Sequence, residues 1–128
     1  MKTIATLRLL SIPALLATSL AAGAACVYPQ APQALPNGAN ATKEEMVAAQ
    51  GSIKEYKTAV EGEYLSCLEK EKVDALAALD PADPDLEKKK AVVESIHAKR
   101  HNAAVDELQA LAGRWNEEIK AFQAKSKQ

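Results

Sequence analysis

The chain has 128 residues, 48% of them hydrophobic, enough for one small domain and too few for two. Its 16 basic residues stand against 17 acidic ones, a net charge of -1, and a near-neutral surface argues against a nucleic-acid partner, which would need a basic stripe. With only five aromatic residues (Tyr28, Tyr56, Tyr64, Trp115 and Phe122) in an alanine-rich chain, the core is expected to be thin, built from small side chains that suit close helix packing.

At the N-terminus, Lys2 and Arg8 accompany an apolar run from Leu9 to Leu20, broken only by Ser11, Pro13, Thr18 and Ser19. The small residues Ala21 to Ala25 follow. This layout predicts a secretory signal peptide over residues 1–25. A transmembrane anchor would need about 20 consecutive apolar residues, and this run is shorter. Both Ala22-Gly23-Ala24 and Gly23-Ala24-Ala25 satisfy the small-x-small cleavage rule, so the mature chain is expected to start at Ala25 or Cys26. Loss of Lys2 and Arg8 would leave 14 basic against 17 acidic residues, a net charge of -3. A lipoprotein acylated at Cys26 is the competing reading. Gly23 argues against it, since it stands where such signals carry a branched aliphatic residue. The expected location is periplasmic or secreted, with no membrane span after cleavage.

Residues 26–41 hold Pro29, Pro32 and Pro36 and the turn dipeptide Asn37-Gly38. Prolines at this density forbid helix and predict an extended arm with a polyproline-like path.

A helical hairpin domain is expected over residues 42–128. Thr42-Lys43-Glu44-Glu45 is a capping box that starts a helix, with Glu44 and Glu45 facing the positive end of its dipole. Asn40-Ala41-Thr42 also matches a glycosylation sequon, but capping is the role assigned to Thr42 in a chain whose leader looks bacterial. Met46, Ala49, Ile53, Tyr56, Val60, Tyr64 and Cys67 then recur three or four apart, a helix face over about 42–79. Gly51 and Gly62 interrupt it, as surface glycines or as points of close backbone approach. Glu69-Lys70-Glu71-Lys72 reads as a solvated face.

Asp80-Pro81-Ala82-Asp83-Pro84 ends this helix, and Asp80 or Asp83 can cap a second with Pro81 or Pro84 at its first position. The second stripe covers about 84–124 through Leu86, Val93, Ala104, Leu108, Leu111, Trp115, Ile119 and Phe122. So short a connection predicts antiparallel neighbours: an all-α, antiparallel two-helix hairpin. With the turn centred near Ala82, Trp115 lies opposite Ala49, Leu111 opposite Ile53, Leu108 opposite Tyr56, Ala104 opposite Val60 and His97 opposite Cys67. Arg100 then falls near Glu63, predicting an ion pair there. A two-helix hairpin buries little, so a stripe the arm leaves open predicts a homodimer forming a four-helix bundle.

Two cysteines in a secreted chain predict one disulfide, Cys26 to Cys67. From Thr42 to Cys67 the helix descends about 37 Å. The arm from Thr42 back to Cys26 reaches about 50 Å at polyproline rise, enough to return along the helix. Pairing between two molecules is the alternative.

His97 and His101, four apart with Glu94 one turn earlier, have a spacing that can hold a metal, but no HExxH and no further ligand accompany them. Reduced Cys67 beside His97 would make a thiol and base pair, silent once oxidised. Haem attachment, phosphate-loop and serine-elbow motifs are absent, Lys88-Lys89-Lys90 reads as helix surface, and no family with an assigned activity is recognisable. No cofactor and no catalytic residue is assigned. The expectation is a non-enzymatic envelope protein using a long helical surface as an interaction or scaffold element toward an unknown protein partner. The alternatives are a periplasmic metal-binding protein and a small lipoprotein anchored through Cys26.

Overall fold

A computed structural model describes residues 25–127; the signal-peptide reading therefore falls, but for Ala25, outside the described residues. The described chain is all-helical, a two-helix hairpin with an extended N-terminal arm. The first arm of the hairpin comprises α1 (Lys43–Thr58), a π-helical turn (Ala59–Tyr64) and α2 (Leu65–Ala77), and the second is α3 (Leu86–Lys125).

The capping box forms as its residues dictate. Thr42 Oγ1 accepts from the Glu45 amide at 3.2 Å, and Glu45 Oε2 accepts from the Thr42 amide at 2.7 Å. At the other turn the caps differ from expectation. Leu86 is the first helical residue, and Asp85 at the cap makes no side-chain capping bond. Asp80 and Asp83 instead fold the linker on itself, accepting from the Ala82 and Asp85 amides at 2.8 Å each. Asp83 also pairs with Lys89, and that lysine together with the Asp85 amide holds its carboxyl below the usual carboxylate range. The aspartates prefer these short local bonds because each lies two residues before the amide it binds.

The π-helical turn has a cause in the spacing of the apolar residues. Tyr56, Val60, Tyr64 and Leu68 are all buried, each four residues after the last. In a regular α-helix every such step overshoots one turn by about 40°, so the four side chains would spiral off the seam. Wider i→i+5 bonding, as from the Leu65 amide to the Val60 carbonyl, takes up the excess and keeps the row in line. Gly62 lies within this turn, and Gly51 lies in α1; a Cβ added to either meets nothing within 4 Å, so both are surface glycines.

The core comprises Tyr56, Val60, Tyr64 and Leu68 from the first arm with Ala104 and Leu111 from α3. The predicted register is visible at both ends, where Leu68 shares a cavity with Glu94 and His97, and Met46 shares one with Trp115 and Ile119. The uniformly close packing expected of an alanine-rich chain is confined to α2 against α3; α1 stands farther from α3. Bulky Tyr56, Met46, Trp115 and Phe122 border that wider gap, and the N-terminal arm lays Tyr28, Ala31 and Leu35 against the core. No helix among the described residues is long and apolar enough to cross a membrane.

Candidate functional site

The arm is fastened at both ends. At its start Cys26 is disulfide-bonded to Cys67, with Cα atoms 5.7 Å apart, and no free cysteine exists among the described residues. The thiol and base pair of Cys67 with His97 is thereby excluded in this state, and the sulfur that a lipoprotein anchor needs is the one bonded to Cys67. At its end, Gly38 donates its amide to Glu118 Oε2 at 2.7 Å, and Lys125 Nζ donates to the Ala41 carbonyl at 3.1 Å. Asn37-Gly38 does form a turn, with the Asn40 and Ala41 amides both donating to the Asn37 carbonyl. Yet Gly38 is not in the left-handed region. It is glycine because a Cβ there would collide with the Glu118 carbonyl oxygen and lie 2.9 Å from the Phe122 nitrogen.

Between these fasteners the arm seats an aromatic cluster. The Tyr28 and Tyr56 hydroxyls are 2.7 Å apart, and the Tyr28 ring meets Tyr64 edge-on at 4.8 Å between centroids. Burial, the bond to Tyr56 and nearby Glu107 push the Tyr28 phenol far above its ordinary range. Burial and Glu107 also raise Tyr56, against the opposing effect of its bond to Tyr28. Both phenols are therefore neutral structural groups. The helical stripe of the sequence includes Tyr56 and Tyr64 but not Tyr28, whose signal is its place two residues after Cys26 in an arm that folds back.

Beneath the disulfide lies a polar cluster that joins α2 to α3. Glu71, one turn after Cys67, accepts from Arg100 Nη1 through Oε1 at 2.6 Å, and the same oxygen lies 3.4 Å from His97 Nε2. The predicted Arg100 pair with Glu63 is thus corrected to Glu71. Glu63 is exposed on the outer side of the π-helical turn, whereas Glu71 faces the seam. His97 is buried, and its Nδ1 lies 2.8 Å from the Val93 carbonyl, which only accepts, so Nδ1 carries a proton. Burial works to raise the Glu71 pKa, but Arg100, the Cys26 backbone amide and His97 together outweigh it and lower it. Glu71 in turn, with Tyr64, keeps Arg100 firmly cationic. Two atoms here are buried without a hydrogen bond, Glu71 Oε2 and His97 Nε2. In the sequence Glu71 belongs to a charge run that reads as a solvated face; its spacing of four from Cys67 is the signal that it turns toward the seam.

Glu94, His97 and His101, the metal candidates, line one open cavity of about 390 Å³ with Glu69 and Lys72. They do not converge. Among the described residues no three His, Cys, Asp or Glu side chains are placed to hold a metal ion. His97 turns one nitrogen to Val93 and the other to Glu71, and His101 is exposed.

The hairpin face away from the arm is uncovered. Its middle is a shallow cavity of about 320 Å³ lined by Ile53, Leu65, Val105, Leu108 and Leu111, rimmed by Lys57, Glu61 and Gln109. It is extended at one end by Met46, Trp115 and Ile119 and at the other by Leu68 and Ala98. No family model, no curated protein and no solved structure matches the chain.

Proposed function

We propose that this is a periplasmic or secreted, non-enzymatic helical protein that serves as an interaction or scaffold element of the bacterial envelope and engages a protein partner along its uncovered groove. The observation that carries the reading is the asymmetry of the hairpin. One side is closed by a covalently fastened arm, while the other leaves Ile53, Leu65, Val105 and Leu108 half-exposed in a row between polar rims. A fold that spends a disulfide to rigidify one side and leaves an apolar row on the other presents a preorganised surface, and preorganisation lowers the ordering cost of binding. The oxidised cysteine pair supports an oxidising compartment.

A photo-crosslinking residue at Leu108, compared with one at exposed Glu63 away from the groove, tests this in the native host together with periplasmic extraction. The expected result is an extractable protein forming one discrete crosslinked species from position 108 alone. A protein retained inside the cell with alkylatable thiols, or equal crosslinking from both positions, would overturn the reading.

A further inference from the structure

We infer that the mature chain begins at Cys26 and that the Glu71 carboxylate is the built-in receptor for its α-ammonium group. The inference rests on the secreted reading above and adds to it a cleavage point and a binding site.

Ala25 is exposed, Cys26 is half-buried, and Gly23-Ala24-Ala25 supplies the small-x-small pattern immediately before it. The disulfide holds the Cys26 Cα 5.7 Å from that of Cys67, and Tyr28 packs on Tyr64 toward the start of the first helix, so the chain on the nitrogen side of Cys26 leads the other way, toward Glu71 one turn after Cys67. The Cys26 amide is close enough to help lower the Glu71 pKa, yet Glu71 Oε2 is buried without a hydrogen bond of ordinary geometry. Both observations hold if the amide lies near the carboxylate in a contact too long or too bent to satisfy Oε2. A peptide N–H is fixed in its plane and offers one direction. An α-ammonium has three protons, rotates freely and carries a full charge. It can turn one proton to Oε2 while Arg100 keeps Oε1.

The covalent step is a hydrolysis. Water adds across the Ala25–Cys26 peptide bond, the carboxylate leaves on Ala25 and the amine, protonated, stays on Cys26. The catalyst is an envelope endopeptidase that cuts after small-x-small. The groups facing the new ammonium are Glu71 from α2, with Arg100 and His97 of α3 around the same carboxylate and Tyr64 of the π-helical turn beside Arg100. Arg100 repels the ammonium, and the shared carboxylate between them offsets that repulsion.

The test expresses the chain with its own leader in an exporting bacterial host. Intact mass and N-terminal sequencing identify the first residue, and the rate of acylation of the α-amine at pH 7 is read from the N-terminal peptide. The expected result is a free amine on Cys26 whose acylation is accelerated about tenfold by Glu71→Gln, the change that one pKa unit produces. A variant that retains Ala25 as its first residue, with the disulfide intact, keeps the fold and moves the amine off Glu71. Its acylation should not respond to Glu71→Gln. An exported chain starting at Ala25, an acylated Cys26 amine, or equal rates with and without Glu71 would overturn this inference alone. A chain kept inside the cell with its leader attached would defeat the secreted reading as well.

Discussion

Replacing Gly38 with alanine puts a methyl group where backbone already stands. The added carbon would overlap the Glu118 carbonyl and sit 2.9 Å from the Phe122 nitrogen, and both belong to a helix that cannot yield as a side chain can. Keeping the arm in place costs about 1–3 kcal/mol of overpacking. Lifting it breaks the Gly38 bond to Glu118, a bond to a charged group worth about 1.5–3 kcal/mol when well buried and less at this partly buried site. These are alternatives, and the chain takes the less costly, so the expected loss is about 2 kcal/mol, or roughly 8–16 °C in Tm. Urea unfolding followed by circular dichroism measures it, with Gly51→Ala as the control. At Gly51 a Cβ meets nothing within 4 Å, and the better helix former should add about 0.5–1 kcal/mol. The same chemical change thus has opposite signs at two sites. A Gly38→Ala protein within about 0.5 kcal/mol of wild type would refute the close-approach argument, since surface substitutions fall in that range.

Further outcomes follow from the other fasteners. Joint Cys26→Ser and Cys67→Ser removes a crosslink of sequence separation 41, worth about 4 kcal/mol in the chain-entropy treatment, and should raise the urea m-value as the unfolded chain expands. An unchanged unfolding free energy would count against a disulfide present in the folded protein. Tyr28→Phe deletes the bond to Tyr56 and should cost about 1 kcal/mol in the same assay. Because both phenols are raised, their contribution is complete below the unfolded tyrosine pKa near 10 and is lost as pH climbs toward their folded values, so alkaline unfolding and tyrosinate absorbance at 295 nm should rise together. In a Tyr64→Phe background, tyrosinate appearing well before unfolding would contradict the buried pair of Tyr28 and Tyr56. For Glu71 the sign reverses: its lowered pKa stabilises the fold above the ordinary carboxylate value and loses that effect as pH falls through the folded one. Glu71→Gln should therefore flatten the acid limb of stability below pH about 4.5, and an unaltered limb would exclude this carboxylate as its source.

The parts of this fold that sequence made legible are those governed by periodicity and reach. Every residue of the two predicted stripes is buried or half-buried, the Thr42 capping box has both its bonds, and the reach expected of an extended arm sufficed to pair Cys26 with Cys67. What was not legible depended on small offsets between elements. The run of four-residue spacings from Tyr56 to Leu68 contained the π-helical turn, but only as an accumulated phase error that no single residue announces. Arg100 found Glu71 rather than Glu63 because a charge partner is chosen by which side of the seam it faces, and a linear register counts only height along the helix. Gly38 read as a turn residue, whereas its need arises from Glu118 and Phe122, 80 or more positions away. At the candidate site, the spacing of His97 and His101 says nothing of where their nitrogens point: one nitrogen of His97 is taken by the Val93 carbonyl and the other faces Glu71 at 3.4 Å.

The two fasteners of the arm differ in when their partners come into being. Those of Cys26 and Tyr28 on the first helix, namely Tyr56, Tyr64 and Cys67, have all left a channel that releases the chain from its N-terminus before α3 has begun to emerge. Those of Gly38 and Ala41, namely Glu118 and Lys125, are among the last residues to arrive. In a chain exported as proposed, oxidation would not have to wait for the hairpin. In such a chain the arm and first helix would close into a ring before α3 arrives, and α3 would dock onto a surface whose shape is already set, turning a three-body assembly into a two-body one.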